Sequence, residues 1–172
     1  MATALENLSA RTSHFSAAIA LSLTDRKAIF EANQHRIYSL AFWMTGNELA
    51  AEELQKRVFL RAFRLFLPLD AAAIDSCLIA ELRECMAIGE LTLHCSPATA
   101  VHSVRRNTRR VDLEQAVIAL PATEKLLFLL HDVEGNDCTQ VARALRLSEH
   151  RCRAGLHQAR LRIRELLAAS CF

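Results

Sequence analysis

The stretch ARALRLSEHRCRAGLHQARLRIREL, Ala142 to Leu166, carries seven arginines and two acids. Just before it, Asp137 and Gln140 stand three residues apart as a capping-box pair, and Val141, Ala142 and Leu145 supply the apolar face of a helix about two turns long. Arg146-Leu147-Ser148 interrupts that pattern. Ser148 is a good N-cap for a second helix, whose apolar positions Cys152, Leu156, Ala159 and Ile163 recur every three or four residues. A short helix, a tight turn and a basic second helix make a helix-turn-helix pattern. At about 100° per residue, Arg153, His157, Arg160 and Arg164 fall in one stripe beside the apolar seam, with Arg151 and Arg162 on the opposite flank. Such a helix packs by its seam and presents guanidinium groups to phosphates and, near its N-terminus, to base edges. A lone basic helix is more often a solvated surface; the capped short helix in front of this one turns the reading towards DNA.

Working outward, VDLEQAVIALPATEKLLFLLHDVEG predicts a short helix at Asp112 to Leu120 and a leucine-rich one from near Pro121 to Gly135. Between Thr92 and Arg110 periodicity fails, which marks a linker. Ahead of the linker, a helix opens at Thr24 or Asp25, carries Ile29, Ile37, Leu40, Ala41 and Met44 on one face, and stops at Gly46. Asn47 caps the next, with Ala50, Leu54, Val58, Ala62 and Leu65 as its apolar series, Phe59, Phe63 and Phe66 widening the face, and Pro68 as its end. A third helix, Ala71 to Ile88, places Ile74, Leu78, Leu82, Cys85 and Met86 on one side and is acidic on the other. The expected fold is all-α: two small helical domains, residues 1–91 and 111–172, joined by a linker over 92–110, the second domain a helix-turn-helix.

Composition agrees. Four glycines and three prolines in 172 residues, with 52% hydrophobic side chains, favour helices with real cores over sheets. Net charge is only +2, yet residues 68 to 100 hold one basic and five acidic side chains, whereas 101 to 172 hold twelve basic and eight acidic. The polarity is segregated along the chain. The apolar run at Ala17 to Leu23 is too short to cross a bilayer and lacks a cleavage site, so the chain reads as cytoplasmic, without membrane insertion, and its six cysteines as reduced thiols. Cys77, Cys85, His94, Cys95 and His102 match no compact metal-ligand spacing, and no metal or other cofactor is expected. His131, Asp132 and Glu134 have no nucleophile beside them and no glycine-rich phosphate loop exists, so an enzyme is not expected. Trp43 beside Met44 reads as core.

Two separate stretches carry a family likeness. AEELQKRVFLRAF at Ala51 to Phe63, preceded by FEANQHRIYSLAF and MTGN, resembles the core-binding region of the sigma-70 family, in particular its short two-domain extracytoplasmic-function group. ALPATEKLLFLLHDVEGNDCTQVARALRLSEHRCRAGLHQARLRIREL resembles the promoter-reading domain of the same group. The resemblance implies a transcription initiation factor that binds core RNA polymerase and directs it to double-stranded promoter DNA, with an anti-sigma factor as a further partner. It assigns polymerase docking to Glu52, Glu53, Leu54, Lys56, Arg57, Phe59 and Arg61, although Leu54 and Phe59 also suit a core. It assigns DNA contact to Ser148, His150, Arg151, Arg153, His157, Arg160 and Arg164: Arg151, Arg153 and His157 nearest bases, Arg160 and Arg164 nearest phosphates, and Ser148 as the cap that presents the helix amides.

The chain departs from the family in several places. Ala50 stands where the family usually has an acid, Lys56 where it has glutamine, and Arg57 where it has an acid. In the third helix, Cys77 replaces a tryptophan and Glu84 an asparagine, and Arg83 is the one base. An acidic helix without aromatics is poorly suited to hold a DNA strand. Gly155 replaces an Arg or Lys in the reading helix, and Arg146 replaces a turn glycine, at a strain of about 1 kcal/mol where φ is positive. Two further readings therefore accompany the first: a non-initiating sigma mimic that binds an anti-sigma factor, and a plain helix-turn-helix regulator.

Overall fold

The computed structural model describes residues 23–65, 69–92 and 109–169, and these are entirely helices, turns and loops. In chain order the helices are α1 (Leu23–Thr45), α2 (Glu48–Arg64), α3 (Ala71–Cys85), α4 (Arg110–Ile118), α5 (Ala122–Phe128), α6 (Cys138–Leu145) and α7 (Glu149–Ala169). A π-helical turn, Leu129–Val133, continues α5 without a break. The linker segment 93–108 lies outside the described residues.

Helices α1, α2 and α3 pack in sequence order. Gly46 ends α1, and the Asn47 carboxamide oxygen accepts from the Ala50 amide at 3.0 Å to start α2. Ile37, Leu40, Ala41 and Met44 of α1 meet Leu54, Val58, Phe59 and Ala62 of α2 and Ile74, Leu78 and Leu82 of α3 in one core. Asp70 caps α3 by accepting from the Ala73 amide at 2.8 Å. Two boundary expectations shift. In the first turn of α2 the buried alanine is Ala51 rather than Ala50, Leu65 at its far end is exposed, and α3 ends at Cys85 rather than Ile88. Cys85 itself is exposed, because the chain turns away there into an extended segment instead of continuing the apolar face.

The C-terminal half is built around α7. Helix α4 starts at Arg110, two residues before Asp112, because Asp112 acts inside the first turn: its carboxylate reaches back to the Arg109 amide at 3.1 Å. Helix α6 has the anticipated capping box, with Asp137 accepting from the Gln140 amide at 2.7 Å and Gln140 accepting from the Asp137 amide at 3.2 Å. Its C-cap, Arg146, is left-handed at φ 54°, ψ 39°, and the Leu147 amide returns to the Ala142 carbonyl at 2.9 Å. Ser148 Oγ then accepts from the Arg151 amide at 3.3 Å, and α7 begins. Cys152, Leu156, Ala159 and Ile163 are all buried, as their spacing requires.

The two halves touch directly. On α1, Arg36 donates to Asp75 of α3 at 2.7 Å and through two nitrogens, each at 2.8 Å, to Glu134 at the end of the π-helical turn. Burial works against this charge, and the two carboxylates outweigh it, so the guanidinium is held even more firmly protonated than usual. From α3, Arg83 donates to the Leu145 carbonyl at the end of α6, at 2.8 Å.

Candidate nucleic-acid and polymerase interfaces

On α7 the residues expected to face DNA are on the surface: Ser148, His150, Arg151, Arg153, His157, Arg160 and Arg164 are all exposed. Their partners divide them. Arg153 pairs with Glu149 one turn back at 3.0 Å, a contact of the kind that contributes only a few tenths of a kcal/mol. Arg160 is held more tightly, with Nε 2.9 Å and Nη2 2.6 Å from the two oxygens of Asp132, a fork-on-fork pair. The guanidinium of Arg160 holds the Asp132 carboxyl below its usual range, against the effect of partial burial, with His131 Nδ1 at 2.7 Å adding to the same effect. Arg151 leans the other way, its Nη2 at 3.5 Å from the Gly89 carbonyl of the N-terminal half. The single stripe expected along α7 is therefore tied down at two points, by Glu149 and by Asp132. The Asp132 pairing was invisible in sequence because it depends on the π-helical turn. There the Glu134 amide bonds back to Leu129 at 3.0 Å, rotating Asp132 towards α7 and Glu134 towards Arg36.

Helix α2 separates its assigned residues by face. Glu52, Glu53 and Lys56 are exposed, with Glu53 and Lys56 3.6 Å apart. Leu54 and Phe59 are buried in the core, where the Phe59 ring lies edge-on to Phe30 with centroids 4.8 Å apart. Their side chains are packing groups of the helix pair. Arg57 and Arg61 turn towards α3: both reach the buried carboxylate of Glu81, at 3.2 and 2.5 Å, and Arg61 also bonds Glu84. The outer face of α2 also presents Leu49 and Leu60, two exposed leucines outside its apolar series.

Helix α3 shows a closed rather than an open surface. Cys77 is buried, its thiol pushed up by burial; Glu84 is engaged by Arg61, and Arg83 is spent on the Leu145 carbonyl. Trp43 is half-buried, packed on the core and edge-on to Phe42. His94, Cys95 and His102 lie outside the described residues. Among the described residues no group of three His, Cys, Asp or Glu side chains could hold a metal ion. No described helix is long and apolar enough to cross a membrane.

With this geometry in view, a solved structure matches the chain along most of its length. It is the sigma factor RpoE of Bartonella quintana, crystallised in complex with the anti-sigma factor NepR, with a TM-score of 0.60 at 16% sequence identity. The match covers 84% of this chain and 98% of that one. The chain has a sigma-factor-like fold. No protein-family model matches the sequence. No curated protein matches it either. The sigma-like fold spans both halves of the molecule, which neither α2 nor the α6–α7 pair would establish alone.

Proposed function

We propose that the chain is a sigma-factor-like transcription initiation factor of the extracytoplasmic-function type, cytoplasmic and without a catalytic site of its own. Residues 1–91 would bind core RNA polymerase, residues 92–110 would link, and residues 111–172 would read double-stranded promoter DNA. The observation that carries this reading is the combination, in one sigma-like fold, of an exposed acidic and leucine-bearing face on α2 with an exposed basic helix α7 behind a capped helix and a three-residue turn. On α2, Glu52, Glu53 and Lys56 are the groups free to meet polymerase, with Arg57 and Arg61 shaping the helix through Glu81. On α7, Arg151, Arg153 and His157 would approach bases, and Arg160 and Arg164 phosphates.

A second reading, a sigma mimic that engages an anti-sigma factor without initiating, is favoured by α3. That helix carries no aromatic residue, its buried carboxylate consumes two arginines, and its own arginine is bonded to α6. Mixing purified chain with core polymerase decides between them. Complex formation with promoter-dependent transcription is the expected result. Binding to core without transcription supports the mimic, promoter binding without core supports a plain helix-turn-helix regulator, and no binding to core ends the initiation reading.

A further inference from the structure

The segment that follows α3 does not run free into the linker. Gly89 at φ 110°, a conformation that side chains rarely adopt, turns the chain across the C-terminal half. Its amide donates to Thr123 Oγ1 at 3.0 Å, and the same hydroxyl donates to the Ala87 carbonyl at 3.2 Å. Three residues on, the Thr92 amide donates to Glu124 Oε1 at 2.8 Å. Thr123 and Glu124 form the first turn of α5, and both are almost fully buried, an unusual state for polar residues at the start of a helix. This segment bonds to both of them.

Between those two anchor points sits Leu91, and it faces a notch in α7. A β-carbon built on Gly155 would stand 2.8 Å from Leu91 Cδ2 and 2.4 Å from Leu127 Cδ1, closer than packed carbons come. Gly155 is buried in the middle of a helix, where glycine costs roughly 0.5–1 kcal/mol against alanine. The close approach of the two leucines accounts for that choice. One turn earlier on the same face, Arg151 leans onto the Gly89 carbonyl.

We propose that Ala87–Thr92 is a strap that closes the N-terminal half over the first turns of α7, keyed by Leu91 in the Gly155 notch, and that it must lift before Arg151 can reach DNA. The gating of DNA rests on the promoter-reading function proposed above; the strap itself does not. Arg36 with Glu134 and Arg83 with Leu145 hold the same two halves together, so the strap closes a joint that is already aligned.

The test is amide hydrogen exchange of the full chain by NMR. In the wild-type protein the Gly89 and Thr92 amides are expected to be protected. Leu91→Ala removes the key without crowding the notch, and should speed exchange at both amides by about tenfold or more while the Leu40 and Ala41 amides of α1 stay unchanged. Gly155→Ala, whose new β-carbon crowds Leu127 as well as Leu91, should speed exchange at the same two amides by at least as much. Unprotected Gly89 and Thr92 amides in the wild type, or no change on Leu91→Ala, would overturn the strap. Fluorescence anisotropy with random-sequence duplex DNA at low salt separates the gating: Leu91→Ala should bind several-fold more tightly than wild type. Freed amides with unchanged DNA affinity overturn the gate. Absence of DNA binding by either chain overturns the promoter reading, with the amides still deciding the strap.

Discussion

Arg61 on α2 places its Nε 2.5 Å from the carboxylate of Glu81 on α3, a side chain whose residue is only 5% exposed. Arg57 reaches the other oxygen at 3.2 Å, so one buried negative charge is matched by two guanidinium groups and α2 is locked to α3. Such a charge is tolerable inside a protein only while its partners remain.

Arg61 and Glu53, assigned to one interface by family resemblance, should therefore behave oppositely. Arg61→Ala leaves Glu81 short of a charge-assisted hydrogen bond and should destabilise the fold by about 1.5–3 kcal/mol in urea unfolding. Glu53→Lys alters an exposed side chain and should leave stability within about 0.5 kcal/mol while weakening association with core polymerase. Equal loss of stability in both variants would remove the distinction.

How legible these relationships were depended on their range. The capping residues Asn47, Asp137 and Ser148 act within three residues of themselves, and each caps where the sequence placed it. The apolar seam of α7 was equally plain because every position on it follows from helical spacing. Ala51 in place of Ala50, and the end of α3 at Cys85, were not fixed by anything local: the first follows from how α2 is pinned between α1 and α3, the second from the strap. Asp132 to Arg160 and Leu91 to Gly155 join residues far apart in the chain, and only packing brings them together. Gly155 did announce itself in the sequence, as a glycine where a base was expected, without naming the leucine that needs it.

Arg146 offers a test of local strain. Its φ of 54° is the left-handed conformation that terminates α6, and a side chain there costs about 1 kcal/mol relative to glycine. Part of that gain is offset by the greater freedom of glycine in the unfolded chain. Arg146→Gly should stabilise the protein by about 0.5–1 kcal/mol, read as a rise in the urea midpoint with an unchanged slope.

The Asp132–Arg160 pair predicts a pH dependence of definite sign. Because the folded state holds the Asp132 carboxyl below its usual range, the unfolded chain takes up its proton first as pH falls. The stability it contributes is therefore fully present above the ordinary carboxylate range and lost as pH drops through the folded value. The stability difference between wild type and Asp132→Asn should be flat near neutral pH and shrink towards zero on acidification between about pH 5 and 2. A difference that grew on acidification would contradict the pairing.

Thiol chemistry checks the packing of the two helices that make the turn. Cys152 is fully buried, and burial, with a hydrogen bond to Cys138 adding to it, pushes its thiol up to about 12; burial also raises the Cys77 thiol. Reactivity requires both access and thiolate. Among the four cysteines of the described residues, site-resolved mass spectrometry after brief iodoacetamide treatment at neutral pH should find Cys85 modified first and Cys77 and Cys152 spared until the protein is unfolded.

On the promoter-reading function proposed above, Arg153 tests whether the basic face of α7 reads sequence or only follows phosphate. Its ion pair with Glu149 a turn away is exposed and weak, so removing the side chain costs little in the free protein. Arg153→Ala should therefore leave the melting temperature almost unchanged. If the side chain meets a base edge, promoter affinity should fall by about 1–3 kcal/mol and discrimination between promoter and random DNA should fall with it. If it meets phosphate alone, both affinities fall together and the salt dependence becomes shallower by about one counterion. Promoter and random duplexes titrated across a salt series separate the two, and the placement of Arg153 in the first turns of α7 favours the base-edge result.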